Sequence, residues 1–328
     1  MSEDILFGFE TALQILRSSH ADVASCLVRH SRRAPSKTPV KSQLMEAVKQ
    51  LEELYPGIQI SYPLRYLVDG GSRQHASDFQ HGYSCTLSLP GSSICCLAKG
   101  IYVAAPPLAF MQECTRRNFI DRLRLGWEIC GTYQSGFCAL PEEYQIKPLV
   151  SVDAISRYVL RNSGIGGSKA ALQALRYTAD NSASPRETQL ALTLGLPTRY
   201  GGAGLGIPRM NYAVPTTPAA YVICNRRTLV CDLCWERQKI DVEYQSFLHH
   251  NGNESRISDS RRSNALKEMG YFVHCITDEE LNSFSTTEAI IASIGKELKK
   301  RNRTKLQDYH ARKLRLRRDL GLPVGNEL

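Results

Sequence analysis

The sequence predicts a mixed α/β (α+β) fold built in two parts, and three observations predict it. Helix and strand patterns are interleaved over the first 150 residues, the second half runs helix–strand–strand–(strand)–helix–strand, and a turn-rich stretch at 134–150 separates them. A chain of 328 residues suits two domains or one large one and is long enough to bury a sizeable core. Hydrophobic content of 42% and charged content of 22% exclude wholesale disorder.

In the first part, residues 7–17 and 42–55 carry the spacing of amphipathic helices. Residues 83–89 and 100–104 read as short strands. Pro106 and Pro107 then open a long helical stretch reaching about residue 130, with proline where a first turn tolerates it. Residues 151–179 read as two helices joined at 162–168, which makes 1–150 an N-terminal α+β domain and 151–180 a helical connector. Ser184-Pro-Arg-Glu187 then starts a short helix ending near Gly195, with Ser184 as N-cap, Pro185 in the first turn and Glu187 three residues after the cap. Residues 197–211 are too rich in Gly and Pro for a regular element. Strands follow at 228–235 and 239–245, then a helix at 258–269, a strand at 271–276 and helices to the end.

Charge is concentrated at one end. The chain has 41 Lys+Arg against 32 Asp+Glu, a net +9, and residues 296–318 alone hold eleven basic and two acidic side chains. The remaining body is therefore neutral, and 296–328 reads as a basic helical tail suited to salt-sensitive phosphate contacts through Lys299, Lys300, Arg301 and Arg303. No run of about 20 apolar residues is present, and the acidic first residues do not resemble a secretory signal. Eleven cysteines, an odd count in a large chain, fit a pool of reduced thiols; the expected location is the cytoplasm, with no membrane association.

The strongest local chemistry lies in the two strands at 228–245. In the second, Ile240, Val242 and Tyr244 share one face, and Asp241, Glu243 and Gln245 the other. A two-residue loop at Arg237 and Gln238 gives paired positions that sum to 475, which sets Asp232 opposite Glu243 at about 5 Å between Cβ atoms. Like charges so placed destabilise a sheet unless something positive lies between them. Two carboxylates, a carbonyl and waters suit Mg²⁺ or Mn²⁺; an ordinary solvated polar face is the other reading of the same residues. Glu187 is similarly double: it either completes a capping box or points from a helix start into an acidic site.

Beyond these, Leu196-Pro-Thr-Arg-Tyr-Gly-Gly, Pro208-Arg-Met-Asn211, Cys231-Asp232-Leu-Cys-Trp235, Val242-Glu243-Tyr-Gln245, His249-His250 and Asp259-Ser-Arg-Arg-Ser-Asn-Ala-Leu266 follow Ser184-Pro-Arg-Glu187 in order. Residues 181–282 thereby resemble the very-short-patch-repair-type branch of the PD-(D/E)xK nuclease superfamily. That resemblance implies a restriction-endonuclease-like αβββαβ core at 181–295 and metal-dependent hydrolysis of phosphodiester bonds in DNA, in repair or in defence against foreign DNA. It makes Asp232 and Glu243 the metal-binding acids, Glu187 an accessory acid, and Gln245 the occupant of a place that usually holds Lys, or Asp in this branch. Neutral Gln245 can orient the attacking water but cannot supply charge. His249 or His250 would contact the scissile phosphate or carry a proton, or are exposed loop histidines. Arg261 and Arg262 would hold phosphate, or form local ion pairs on a solvated helix face. The alternative is a nuclease fold without catalysis, serving as a regulator or antitoxin-like DNA-binding protein.

Gly100-Ile-Tyr-Val-Ala-Ala-Pro-Pro107 and Leu125-Gly-Trp-Glu-Ile-Cys-Gly-Thr-Tyr133 resemble the C-terminal half of AbiEi-type antitoxins. This likeness implies a toxin or regulatory partner; a homo-oligomer is the other assembly considered, and a scaffold whose Trp127 and Tyr133 fill a core is the plainer reading. Cys231-x-x-Cys234 lacks a second Cys/His pair at zinc-site spacing, and the glycine-rich segments at 164–169 and 201–206 match neither phosphate-loop nor dinucleotide patterns.

Overall fold

The computed structural model describes residues 4–70, 76–136, 140–245, 253–298 and 306–324. The chain is a mixed α/β protein of two compact units, residues 1–176 and 177–328.

The first unit opens with β1 (Ile5–Phe7), α1 (Phe9–Ser18), α2 (Val23–Cys26), α3 (Lys41–Leu54), β2 (Leu64–Val68), β3 (Gln80–Ser84), β4 (Ile94–Ala98) and β5 (Ile101–Ala104). Its sheet has the order β3-β2-β1-β5-β4; β1 lies parallel to β5 and antiparallel to β2. The predicted long helix after Pro106 is two helices, α4 (Pro106–Cys114) and α5 (Phe119–Cys130). The break has a local cause: Asn118 caps α5 by accepting from the Asp121 N–H at 2.9 Å. A short hairpin of β6 (Tyr133–Ser135) and β7 (Glu142–Tyr144) follows. α6 (Val152–Arg161) and α7 (Ser168–Leu175), the helices of the expected connector, pack on α4 and α5. Gly167 permits this: its φ is +88° and a Cβ there would stand 2.0 Å from the Met111 carbonyl oxygen. Phe7, Tyr66, Phe110 and Trp127 are the largest side chains of this core.

The second unit runs α8 (Pro185–Gly195), β8 (Arg209–Pro215), α9 (Pro218–Cys224), β9 (Thr228–Trp235), β10 (Ile240–Gln245), α10 (Asn253–Glu268), β11 (Phe272–Thr277), α11 (Asp278–Asn282), α12 (Phe284–Glu297) and α13 (Tyr309–Asp319). Its sheet order is β11-β10-β9-β8: an antiparallel meander of three strands, with β11 added parallel to β10. Parallel addition requires a crossover, and α10 provides it. Strand β8 begins inside the stretch read as irregular, and α9, also unforeseen, precedes β9. Leu229, Cys231 and Cys234 enter an apolar core with Ala220, Ala265 and Leu266, so both thiols of the Cys-x-x-Cys pair are buried packing groups.

Part of the expected basic tail is packed. Leu316, Leu320 and Leu322 are buried, and Arg317, 3% exposed, donates to the carbonyls of Leu281, Asn282 and Pro323 at 2.6–3.1 Å. Lys313 pairs with Glu288 and Arg312 with Asp308. Much of the basic charge in α13 therefore serves the fold. Lys299, Lys300, Arg301 and Arg303 lie outside the described residues. No described helix is long and apolar enough to cross a membrane.

Candidate functional site

Strands β9 and β10 pair as Trp235↔Ile240, Cys234↔Asp241 and Leu233↔Val242, every pair summing to the expected 475. The loop differs from the expected one: Glu236–Gln238 form a 3₁₀ turn and Lys239, at φ +53°, closes it. Four residues therefore replace two without changing the register. Continuing that register sets Asp232 across from Glu243, and here the backbone ladder gives way to a side chain. One Asp232 carboxylate oxygen accepts the Tyr244 N–H at 2.9 Å. The acid is thus held where the two strands part.

Glu243 is 7% exposed and is gripped at both oxygens by the Arg262 guanidinium, which also donates to the Val230 carbonyl. α10 delivers this arginine to the sheet. The positive charge that two facing carboxylates require is therefore supplied, at least for Glu243, by the chain itself. This corrects the expectation for Arg262: it is committed to an acid instead of being free for phosphate. Arg261, its exposed neighbour, faces a different cavity.

Alternation places Asp241 on a polar face, but it is fully buried, with the Glu243 carboxylate as its close neighbour. Burial, then the neighbouring Glu243, pushes its pKa up to about 10. Asp232 is raised to about 7, first by burial and then by the charges of Glu243 and Glu187. Asp232, Glu243, Gln245, Asp259, Arg262 and Cys275 line one open cavity of about 240 Å³. Cys275 arrives through the parallel register Glu243↔Cys275; it and Asp241 were not foreseen as site residues, although strand alternation already placed Asp241 on the face of Glu243.

Glu187 forms half of the expected capping box, since the Ser184 cap is present but the Glu187 carboxylate takes the Ala183 N–H instead of the Ser184 N–H. Its N–H donates to Ser184 Oγ, and its carboxylate accepts from Ala183 N at 3.0 Å, Ser184 Oγ at 3.1 Å and Asn211 Nδ2 at 2.8 Å. It is also near enough to the acidic cluster to raise Asp232, and its own pKa is raised, chiefly by burial. His249 and His250 lie outside the described residues.

The site thus collects Asp232, Asp241 and Glu243 around the Arg262 guanidinium, with Glu187 close enough to act on Asp232. Carboxylate oxygens are the donor type that Mg²⁺ and Mn²⁺ take. Both Glu243 oxygens are nonetheless occupied by Arg262, and among the described residues no three His, Cys, Asp or Glu side chains are arranged to hold a metal ion. Compared with known proteins, the chain matches no family model, no curated protein and no solved structure.

Proposed function

We propose that residues 177–328 form a restriction-endonuclease-like domain of the very-short-patch-repair type that hydrolyses phosphodiester bonds in DNA with a divalent cation. The observation that carries this reading is the delivery of Asp232 and Glu243, from adjacent strands in the expected register, into one open cavity. The order helix–strand–strand–strand–helix–strand, with α9 inserted, and a three-strand meander extended by a parallel strand support it. An excess of acids over the single Arg262 supports a cation as the missing countercharge.

Asp232 and Glu243 would hold Mg²⁺ or Mn²⁺, with Glu243 yielding an oxygen from Arg262. Such an ion would lower the pKa of a bound water and neutralise charge developing on the phosphoryl oxygens. Gln245 orients the water through its amide. Arg262, once displaced from one Glu243 oxygen, has a free N–H for a phosphate oxygen. The bidentate Arg262–Glu243 pair, with Gln245 where a lysine is usual, favours a second reading: a nuclease fold that binds DNA without cutting it.

Plasmid and single-stranded DNA incubated with Mg²⁺ or Mn²⁺ separate the two. The expected result is cleavage by the wild-type chain that Asp232→Asn and Glu243→Gln abolish. Absence of cleavage with either metal, or equal cleavage by all three proteins, rejects the enzyme; binding without cleavage selects the second reading.

A further inference from the structure

Arg262 also forms a wall of a second cavity, of about 490 Å³, whose polar lining is Asn225, Arg226, Ser258, Arg261 and Arg262 itself. Its construction is local. Asn225 ends α9 in the left-handed region at φ +52°, which turns the chain sharply and presents Arg226 to α10. The turn is pinned from β8's end, since Thr216 Oγ1 donates to the Arg226 carbonyl at 2.7 Å and Thr216 N to the Arg227 carbonyl at 3.0 Å. Arg226 Nη2 reaches Ser258 Oγ at 3.0 Å, which aims its guanidinium along the cavity.

The charge balance sets this cavity apart. Arg186, Arg209, Arg262 and Arg312 are each paired with a carboxylate: Asp278, Glu236, Glu243 and Asp308. Among the described residues, no carboxylate lies within ion-pair distance of Arg226 or Arg261, and both side chains are exposed. Two guanidinium groups that line one concave surface, with no carboxylate partner among the described residues, make a local positive potential, and their planar forks match the oxygens of a phosphate. The neighbouring cavity, across Arg262, is the acidic one. An extended chain of phosphates is the ligand that would use both: one phosphate among the arginines while a neighbouring one approaches the acids.

We infer that Arg226 and Arg261 form a phosphodiester-binding subsite that seats the nucleic-acid backbone beside the acidic cavity. The ligand class rests on the nuclease-fold reading; the subsite itself rests on two arginines lining one cavity with no carboxylate partner among the described residues. It takes phosphate without reading bases, so its contribution is the same for any sequence and falls with salt.

The test is the salt dependence of binding to a fluorescein-labelled DNA duplex and to the matching single strand, with the full chain. Arg226→Gln and Arg261→Gln should each reduce the slope of log affinity against log salt by about 1, and the double variant by about 2. The affinity deficit of the double variant should therefore shrink about tenfold as salt is raised fourfold. Ser258→Ala removes the hydrogen bond to Arg226 but no charge, and should leave the slope unchanged. An unchanged slope in the double variant, or an equal loss in Ser258→Ala, overturns the proposal. Inorganic phosphate is the second probe: tight binding of phosphate alone, with DNA affinity insensitive to both arginines, assigns the cavity to the free ion and also overturns it. The outcome is separable from that of the nuclease reading. Cleavage that needs Asp232 with a slope indifferent to the arginines defeats only this subsite, and a reduced slope without cleavage defeats only the enzyme.

Discussion

The first unit gives its buried Glu113 and Glu128 separate partners, whereas the second crowds Asp232, Asp241 and Glu243 around one guanidinium. Glu113, 2% exposed, is held by Arg117 at 2.6 Å and accepts the Glu10 N–H at 2.9 Å. Glu128, 4% exposed, accepts from Ser135 Oγ, with the Arg17 charge nearby. Both are hydrogen-bonded, and Glu113 also ties α4 to the first turn of α1. In the second unit Asp232, Asp241 and Glu243 crowd around Arg262, whose guanidinium is committed to Glu243. Acids crowded at one spot in this way fit the proposed cation site.

The largest effect should come from removing the lone cation. Arg262→Ala strands Glu243 beside Asp241 and Asp232, and breaking such a pair should cost the second unit about 3 to 5 kcal/mol. The chain's two tryptophans, Trp127 and Trp235, fall one in each unit, so urea unfolding of single-tryptophan variants follows each unit separately. Added Mn²⁺ should recover part of the loss if the cavity takes a cation, because binding to the folded state alone is stabilising. Arg117→Ala in the first unit leaves Glu113 its backbone N–H and should cost about 2 kcal/mol, with no response to Mn²⁺. An equal cation response in both units would break the contrast.

A second test uses protons. Asp241, raised to about 10, holds its proton in the folded chain while the unfolded carboxyl, near 3.8, releases it. Between those values the folded state binds more protons, so this group's contribution to stability falls as pH rises, by about 1.4 kcal/mol per unit. Asp232 adds the same sign from about 4 to about 7. Asp241→Asn should flatten the pH dependence of the Trp235 unfolding midpoint between about pH 6 and pH 8. An unaltered slope would mean that Asp241 is ionised in the folded chain. Metal binding carries the opposite sign, since a ligand must lose its proton: Mn²⁺ affinity measured by paramagnetic resonance should rise about tenfold per unit below pH 7 and level off above it.

Much of this site is legible in the sequence because strands are local and periodic. Alternation in 240–245 places Asp241, Glu243 and Gln245 together, and the register sum of 475 survives a loop of different length because hydrophobic pairing of Leu233 with Val242 sets it. Arg262 is the part that alternation cannot reach. Its partner is nineteen residues back, on another element, and a helix carrying Asp259, Arg261 and Arg262 has the composition of a solvated face. The burial of Asp241 is hidden for the same reason: a strand pattern shows which side chains share a face but not that α10 covers it. In α13, dense basic charge masks the apolar spacing of Leu316 and Leu320, so a packed helix resembles a tail. What fails is long-range pairing; what succeeds is period and register.

Glu187 gives the smallest expected effect and the finest test of the comparison. As a cap it accepts three hydrogen bonds; as an acid it raises Asp232. Glu187→Gln keeps a carbonyl oxygen for the cap and removes the charge, so stability should fall by only about 1 kcal/mol. Loss of a like charge near Asp232 must lower that group's pKa, and the midpoint of Mn²⁺ binding against pH should move to lower pH by a fraction of a unit. Glu187→Ala should cost more stability and move the midpoint in the same direction. If Glu187→Gln weakens the fold yet leaves that midpoint where it was, Glu187 belongs with Glu113 and Glu128, as a carboxyl group whose partners are all structural. A shifted midpoint assigns it to the acidic cluster despite its complete set of hydrogen bonds, and the boundary between the two kinds of buried acid then runs by charge coupling and not by hydrogen-bond count.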